Sequence, residues 1–255
     1  MSGVSGVSSS SYADYGKIAS GNKLQSAADG AAELTIVEEE NTQVTGYDVG
    51  SANMQSGKEV LNISDAALGS VNDQLQRIRE LALEASNSVS MTDTSRQSIQ
   101  EEIDQLKQGI SDVASYTQYN GKNLLDGTNS EFSMATDANG NQATINTANA
   151  TLEALGIADF DVTGSFDLET IDNAIAQVSA SRSSMGAQSN GLDYAMNFNS
   201  NASYNLTGAQ SRLEDLDIPK AVSEQKKKET LQQYSLMMQK KQQENEANRM
   251  KGFFS

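Results

Sequence analysis

The side chains that could carry chemistry in this sequence are mainly carboxylates, because the chain contains neither histidine nor cysteine. Most nucleophile–base pairs and most zinc or iron ligand sets need one of those two residues. Two runs of adjacent carboxylates, Glu38–Glu40 and Glu101–Glu102, remain as possible acid–base pairs. Nothing in the sequence around them would raise a carboxyl pKa or mark a cleft, so we interpret both runs as solvated helix faces.

A possible calcium loop begins at Asp137. Asp137, Asn139 and Asn141 have the spacing of the first ligands of a calcium-binding loop, but the glutamate required at the twelfth position is replaced by Ala148. We therefore predict a turn at these residues. The sequence also lacks a phosphate-binding glycine loop and a dinucleotide fingerprint. No catalytic residue, cofactor site or metal site is predicted, and we expect that the protein is not an enzyme.

The charge of the chain disfavours two classes of partner. Eighteen basic and 34 acidic residues give a formal net charge of −16, which repels nucleic acid and anionic membrane surfaces. Residues 218–255 are the exception, with eight basic and four acidic side chains. No apolar run is long enough to span a membrane, and the first 17 residues lack the basic and apolar regions of a secretory signal peptide.

The elements that would position any surface site are helices with seven-residue apolar repeats. Between Val60 and Asn87 the apolar residues recur at the two inward positions of a heptad, with Ser64 as the weak member. A second stretch repeats the pattern in steps of four and three residues. The predicted core seam consists of Leu61, Leu68, Leu75, Ile78, Ile99, Ile103, Leu106 and Ile110.

The short polar break between the two stretches, Asn87 to Ser95, predicts antiparallel neighbouring helices. Thr94 and Gln97 have capping-box spacing and could start the second helix. A third helical stretch begins near Leu168 and should end at Pro219, which cannot continue a helix. Polar residues interrupt its heptads, where they weaken the seam but can fix its register. They are Arg182, Ser189, Asn199, Ser203 and Gln210.

A β-hairpin is predicted between the second and third helices. Phe132 and Met134 alternate with polar residues, as do Ala143 and Ile145, and an Asn-Gly turn lies between them. A lone hairpin is marginal in water, so it should pack on the helices. Residues 1–20 are rich in serine and glycine and are predicted to be disordered in the isolated chain.

Five segments of this sequence together resemble the bacterial flagellin family, in family order across residues 19–217. They are ASGNKLQSAADGAA at residues 19–32, LQRIRELALEASN at 75–87, QYNGKNLLDG at 118–127, RSSMGAQSN at 182–190 and AQSRLEDLD at 209–217. The second of these resembles the most characteristic helix of the family.

The resemblance implies a mainly α fold: an elongated antiparallel helical bundle or coiled-coil rod with a small β-hairpin and helical terminal segments. The implied boundaries are an N-terminal arm at residues 1–25, N-terminal rod helices at 26–128, a hairpin and connector at 129–167, a C-terminal rod helix at 168–217 and a C-terminal helix at 218–255. Only a short connector separates Ile145 from Leu168, so the variable outer domains of many flagellins are expected to be missing.

The same resemblance implies partners and a location. It implies a homo-oligomeric helical filament outside the cell that serves motility. It also implies passage through the type III export apparatus with an export chaperone and without a cleaved signal peptide. A host's Toll-like receptor five would recognise the rod surface, with Arg77, Leu81 and Glu102 matching the family's receptor-contact positions. The predicted subunit or receptor interface consists of Gln76, Arg77, Arg79, Glu80, Leu81, Leu83, Glu84 and Glu102.

The two ends depart from the family pattern. The N-terminal arm is shorter and less apolar than usual, and the C-terminal helix is unusually polar. We therefore predict a reduced terminal domain in which part of the C-terminal helix is unpaired. Two alternatives stay open: a hook–filament junction protein incorporated in few copies, and a poorly polymerising secreted ligand or adhesin. Electron microscopy would separate long filaments from particles that stay monomeric.

Overall fold

The computed structural model describes residues 14–87 and 91–253. Four long helices dominate this part of the chain: α1 (Ala31–Ala85), α2 (Asp93–Tyr116), α3 (Leu168–Glu214) and α4 (Ile218–Phe253). Four short strands lie between α2 and α3: β1 (Gln118–Tyr119), β2 (Lys122–Asn123), β3 (Glu131–Ala135) and β4 (Gln142–Asn146). The mainly α class and the hairpin are as predicted.

Two compact units divide the described residues. The central unit runs from Gln43 to Tyr204, and the terminal unit contains the residues up to Thr42 together with those from Asn205 onward. Residues 14–20 are helical, so the prediction of disorder is wrong for them. The same prediction for residues 1–13 lies outside the described residues. The five domain boundaries inferred from sequence stay predictions.

The heptad residues form the core of the central unit. The side chains of Leu61, Leu68, Leu75 and Ile78 on α1 are buried, as are those of Ile103 and Ile110 on α2. Ile99 and Leu106 are partly buried against the same core. Burying each such side chain is worth about 1.5–3 kcal/mol, which explains why the seven-residue spacing determines which helix face turns inward.

Three ion pairs join α1 to α3 inside the central unit. Arg79 Nε lies 2.5 Å from Asp172 Oδ1, Arg182 Nε lies 2.8 Å from Asp65 Oδ1, and Lys58 Nζ lies 2.6 Å from Asp193 Oδ1. The residue numbers rise along one helix as they fall along the other, as expected for antiparallel neighbours. Arg182, which interrupts the apolar pattern, is thus held by Asp65, whose hydrogen bond raises the pKa of the guanidinium.

The start of α2 differs from the prediction by two residues. Thr92 is the N-cap, and its hydroxyl oxygen accepts a hydrogen bond from the Ser95 N–H at 3.1 Å. The predicted capping box of Thr94 and Gln97 is therefore wrong. Thr92 and Thr94 are both suitable N-cap residues by type. Thr92 takes the role because its own backbone is extended, as an N-cap requires.

The predicted hairpin is formed by β3 and β4, and its register places Phe132 opposite Ile145 and Met134 opposite Ala143. Its turn is organised by Asp137, whose Oδ1 accepts the N–H groups of Asn139 at 2.8 Å and Asn141 at 3.2 Å. Hydrogen bonds, the largest from the Asn141 side chain, lower the pKa of Asp137. The residues that resemble a calcium loop thus serve as turn-forming groups.

The hairpin turn lies directly on α1. A Cβ atom at Gly50 would overlap the Thr136 carbonyl, and one at Gly46 would overlap Ala138. The buried side chain of Asn199 donates hydrogen bonds to the carbonyl oxygens of Tyr47 at 3.2 Å and Thr136 at 2.8 Å. Small residues on α1 and one polar side chain from α3 therefore fix the position of the hairpin.

A second, smaller hairpin was not predicted from sequence. β1 and β2 pair across Asn120 and Gly121, which have positive φ angles of 49° and 75°. Asn-Gly is the preferred pair for such a two-residue turn. The signal was present in the segment QYNGKN, but each strand is only two residues long and shows no alternation.

In the terminal unit, the helical residues 14–20 lie beside α4. The Tyr15 hydroxyl donates to Glu229 Oε1 at 2.6 Å, and Lys228 Nζ lies 2.6 Å from Asp14 Oδ2. Backbone hydrogen bonds join Lys23 N–H to the Glu214 carbonyl at 2.8 Å and Leu216 N–H to the Gly21 carbonyl at 2.7 Å.

Pro219 starts a helix instead of ending one. α3 stops at Glu214, before the chain reaches Pro219, and the next residue, Asp215, pairs with Asn22. Asp217 caps α4 by accepting the Lys220 N–H at 3.1 Å, so Pro219 falls in the first turn. Proline is tolerated there because that N–H would lack a helical partner in any case. None of the described helices is long and apolar enough to cross a membrane.

Candidate interaction surface

An exposed surface of α1 and α2 contains all but one of the predicted interface residues. We call it the arginine surface, and it consists of Gln76, Arg77, Arg79, Glu80, Leu83, Glu84 and Glu102. The core positions Leu75 and Ile78 are fully buried, which forces the residues between and beside them outward.

Arg77 is held in a fixed orientation by two carboxylates. Its Nε and Nη2 lie 3.0 Å and 2.8 Å from Glu102 Oε1, and its Nη1 lies 3.2 Å from Glu80 Oε2. The Glu102 hydrogen bond is the main cause of the raised pKa of Arg77. The guanidinium therefore bridges α1 and α2 while 48% of the side chain stays exposed.

Arg79 points to the other neighbour of α1. Its pair with Asp172 of α3 raises its pKa, and 47% of the side chain is exposed. The sequence contains no local signal for Asp172, because the pairing depends on the register between two helices far apart in the chain. If the register of α1 against α3 had been known, it would have identified Asp172 as the partner of Arg79.

Leu81 corrects the predicted set. Its side chain is 2% exposed and belongs to the core, so it is not part of the accessible surface. Leu83, two residues later, is 55% exposed and provides the large apolar side chain of the arginine surface. The heptad seam predicted from sequence did not include Leu81, so its burial adds one residue to the inward face of α1.

The arrangement is suited to binding and offers no reacting group. Oriented guanidinium groups beside an exposed leucine are typical of protein interfaces, where arginine often carries much of the binding energy. The charged groups are half exposed, so salt will weaken contacts made through them. In the described part of the chain, no group of three or more acidic side chains is placed to hold a metal ion.

A second exposed surface lies on α4, in the terminal unit. Leu231, Tyr234, Met237 and Met238 are all exposed, and so is every residue from 233 to 250. The buried Gln225 marks the opposite side of the helix, which faces the rest of the terminal unit. We call these four apolar residues the α4 apolar face.

Comparison with protein families gives two matches. A model of the bacterial flagellin N-terminal helical region matches residues 6–130. A model of the bacterial flagellin C-terminal helical region matches residues 168–248. The unmatched stretch between them holds the β3–β4 hairpin and the connector to α3.

Curated relatives match along most of their length. A flagellin of Bacillus subtilis is 33% identical, over 92% of this chain and 90% of its own. A flagellin of Halalkalibacterium halodurans is 32% identical, over 87% and 84%. A flagellar filament 33 kDa core protein of Treponema phagedenis is 29% identical, over 87% and 85%.

Solved structures with a similar fold include two flagellar proteins. The Bacillus cereus flagellin crystal structure has a TM-score of 0.51 and 29% identity, and the match covers 58% of this chain and 88% of that one. A putative flagellar hook-associated protein from Vibrio parahaemolyticus has a TM-score of 0.58 over 73% of this chain and all of that one. At 22% identity, the second likeness concerns the fold alone.

Proposed function

Since this chain belongs to the bacterial flagellin family, we propose that it is a structural subunit of the extracellular flagellar filament, a helical polymer of identical chains used for motility. Its role is mechanical and requires no catalytic group. Export would use the flagellar type III apparatus and a chaperone, as the family resemblance implies.

The α4 apolar face carries this proposal. Its four large apolar side chains are exposed in the single chain, so they give α4 no stabilisation by packing there. An apolar surface of this kind is stabilised when another copy covers it. A contact between two different surfaces of the same chain repeats indefinitely and generates a helical filament.

The arginine surface supports a second, lateral contact between subunits. Arg77 and Arg79 are already oriented by carboxylates of their own chain, so little side-chain entropy is lost when a neighbour binds. Leu83 supplies apolar area beside them. We assign the contact to these residues and to Gln76, Glu80, Glu84 and Glu102, without Leu81.

Electron microscopy of the concentrated protein tests the filament proposal. We expect long, uniform filaments after seeding with fragments of polymer, because seeding removes the slow nucleation step. Particles that stay monomeric at every concentration and salt level would contradict it. Short caps that form only on the ends of foreign filaments would favour the hook–filament junction alternative.

Recognition by Toll-like receptor five is a further use of the arginine surface. Receptor-bearing reporter cells should respond to the monomer, and Glu102→Ala should lower potency by about tenfold or more, because it releases the oriented Arg77. Glu101→Ala removes a neighbouring exposed carboxylate and is the matched control. Equal potency of the two variants would exclude this role for Glu102.

A further inference from the structure

Arg96 differs from the other arginines of the central unit. It is partly buried in the first turn of α2, and its Nε is fully buried without a hydrogen-bond acceptor. The other three arginines of the central unit each form an ion pair with a described carboxylate. Arg96 forms none with the residues that the structure describes. Burying part of a charged group without compensation is unfavourable, so its presence calls for a cause.

Helix stability does not supply that cause. The Arg96 N–H donates to the Thr92 carbonyl at 3.0 Å, which places the side chain one turn from the helix start. The N-terminal end of a helix carries partial positive charge, and a cation there is disfavoured. A neutral or acidic residue would suit α2 better.

The side chain lines a cavity of about 410 Å³ at the junction of three elements. Ser86, the residue after α1, lines it, and the segment before α3 contributes Ser165 and Asp167. Asp167 is oriented toward the backbone of α3, because its Oδ1 accepts the Glu169 N–H at 2.9 Å as the cap of that helix. The Ser86 hydroxyl donates to the Leu83 carbonyl at 2.7 Å. Among the described residues, neither of these groups forms a hydrogen bond or ion pair with the Arg96 guanidinium, although both line the same cavity.

We propose that this cavity receives a carboxylate side chain from a second copy of the chain, which pairs with the Arg96 guanidinium. The inference rests on the proposed function and names one of its contacts. A guanidinium presents parallel N–H groups that fit a carboxylate. Acidic residues outnumber basic ones by 34 to 18, so a neighbouring copy presents carboxylates at high local concentration. Ser165 lies where its hydroxyl can add a hydrogen bond.

The test compares critical concentrations for seeded polymerisation. Arg96→Glu places like charges together and should raise the critical concentration about tenfold or more. Arg96→Gln, which removes the charge with little change of shape, should raise it by a smaller factor. Lys122→Glu is the matched control: it makes the same charge change at an exposed residue of the central unit and should alter the value less than about twofold.

Circular dichroism of each monomer separates folding from assembly, since all three variants should melt within about 2 °C of the unmodified chain. Polymerisation of Arg96→Glu and Arg96→Gln at the unmodified critical concentration would overturn the inference and leave the filament proposal standing. Failure of the unmodified chain to polymerise would overturn both.

Discussion

At the scale of single residues, Asp29 organises the segment between residues 14–20 and α1. Its carboxylate pairs with the Lys17 ammonium and accepts the N–H groups of Gln25 at 3.2 Å and Ser26 at 3.1 Å. These contacts, with Lys17 the largest cause, lower the pKa of Asp29 from 3.8 to about 2. The residue therefore stays ionised under all but strongly acidic conditions.

The Asp29 contacts predict a defined acid sensitivity of the terminal unit. Since the pKa is lower in the folded chain, the stability that it contributes is present above about pH 4 and is lost as the pH falls toward 2. Carboxyl-carbon NMR of the monomer should show Asp29 titrating near pH 2. Lys17→Met should move the midpoint upward, and Ser26→Ala should move it less. A midpoint near 4 in the unmodified chain would contradict the assignment.

At the scale of elements, the hairpin can pack closely against α1 because two residues of that helix are glycines without side chains. Gly46 and Gly50 leave the surface of α1 bare where the turn of the hairpin crosses it, and Asn199 ties that turn to α3. A backbone-to-helix approach this close is possible only at glycine. Helix propensity would favour alanine at both positions, so packing decides the residue type.

Gly50→Ala should therefore destabilise the central unit, although alanine has a higher helix propensity than glycine. We expect a loss of about 1–3 kcal/mol in the free energy of unfolding, because the added methyl overlaps the Thr136 carbonyl. Gly186→Ala is the control: nothing lies within 4 Å of its new methyl, and the variant should gain about 0.5–1 kcal/mol. Urea unfolding of both monomers measures the difference. If both variants changed the free energy of unfolding by the same amount, the hairpin would have to shift away from the added methyl group without cost.

Some helix and strand positions could be predicted from the sequence, and others could not. The start of α3 near Leu168 and the β3–β4 hairpin follow from local periodicity and turn chemistry, and both were predicted. The N-cap of α2 and the end of α3 were misplaced, because two threonines could cap and because Asp217 caps the next helix. Which carboxylate pairs with Arg79 depends on distant packing and could not be read locally.

At the scale of the whole molecule, we expect changes to the exposed apolar surfaces to affect polymerisation more than the stability of the monomer. Changing both Leu231 and Tyr234 of the α4 apolar face to serine should leave the helix content and melting temperature of the monomer nearly unchanged, because both side chains are exposed. The same change should raise the critical concentration for polymerisation at least about tenfold.

Sedimentation of the polymer at a series of protein concentrations measures this effect. Gln239→Ser with Gln242→Ser is the matched control, since it changes two exposed polar residues of the same helix. Filaments of the double serine variant at the unmodified critical concentration would show that the α4 apolar face is not buried between subunits.

The ion pairs between α1 and α3 alternate in sign along each helix: Arg79, Asp65 and Lys58 on one meet Asp172, Arg182 and Asp193 on the other. A seven-residue repeat of apolar side chains by itself allows a slide of one heptad, since the inward positions recur every seven residues. The charges do not tolerate it, because every pair separates and in one direction Asp65 comes to face Asp193. These pairs therefore favour a single alignment of α1 and α3 when the chain folds, and high salt during refolding should increase the share of misaligned chains.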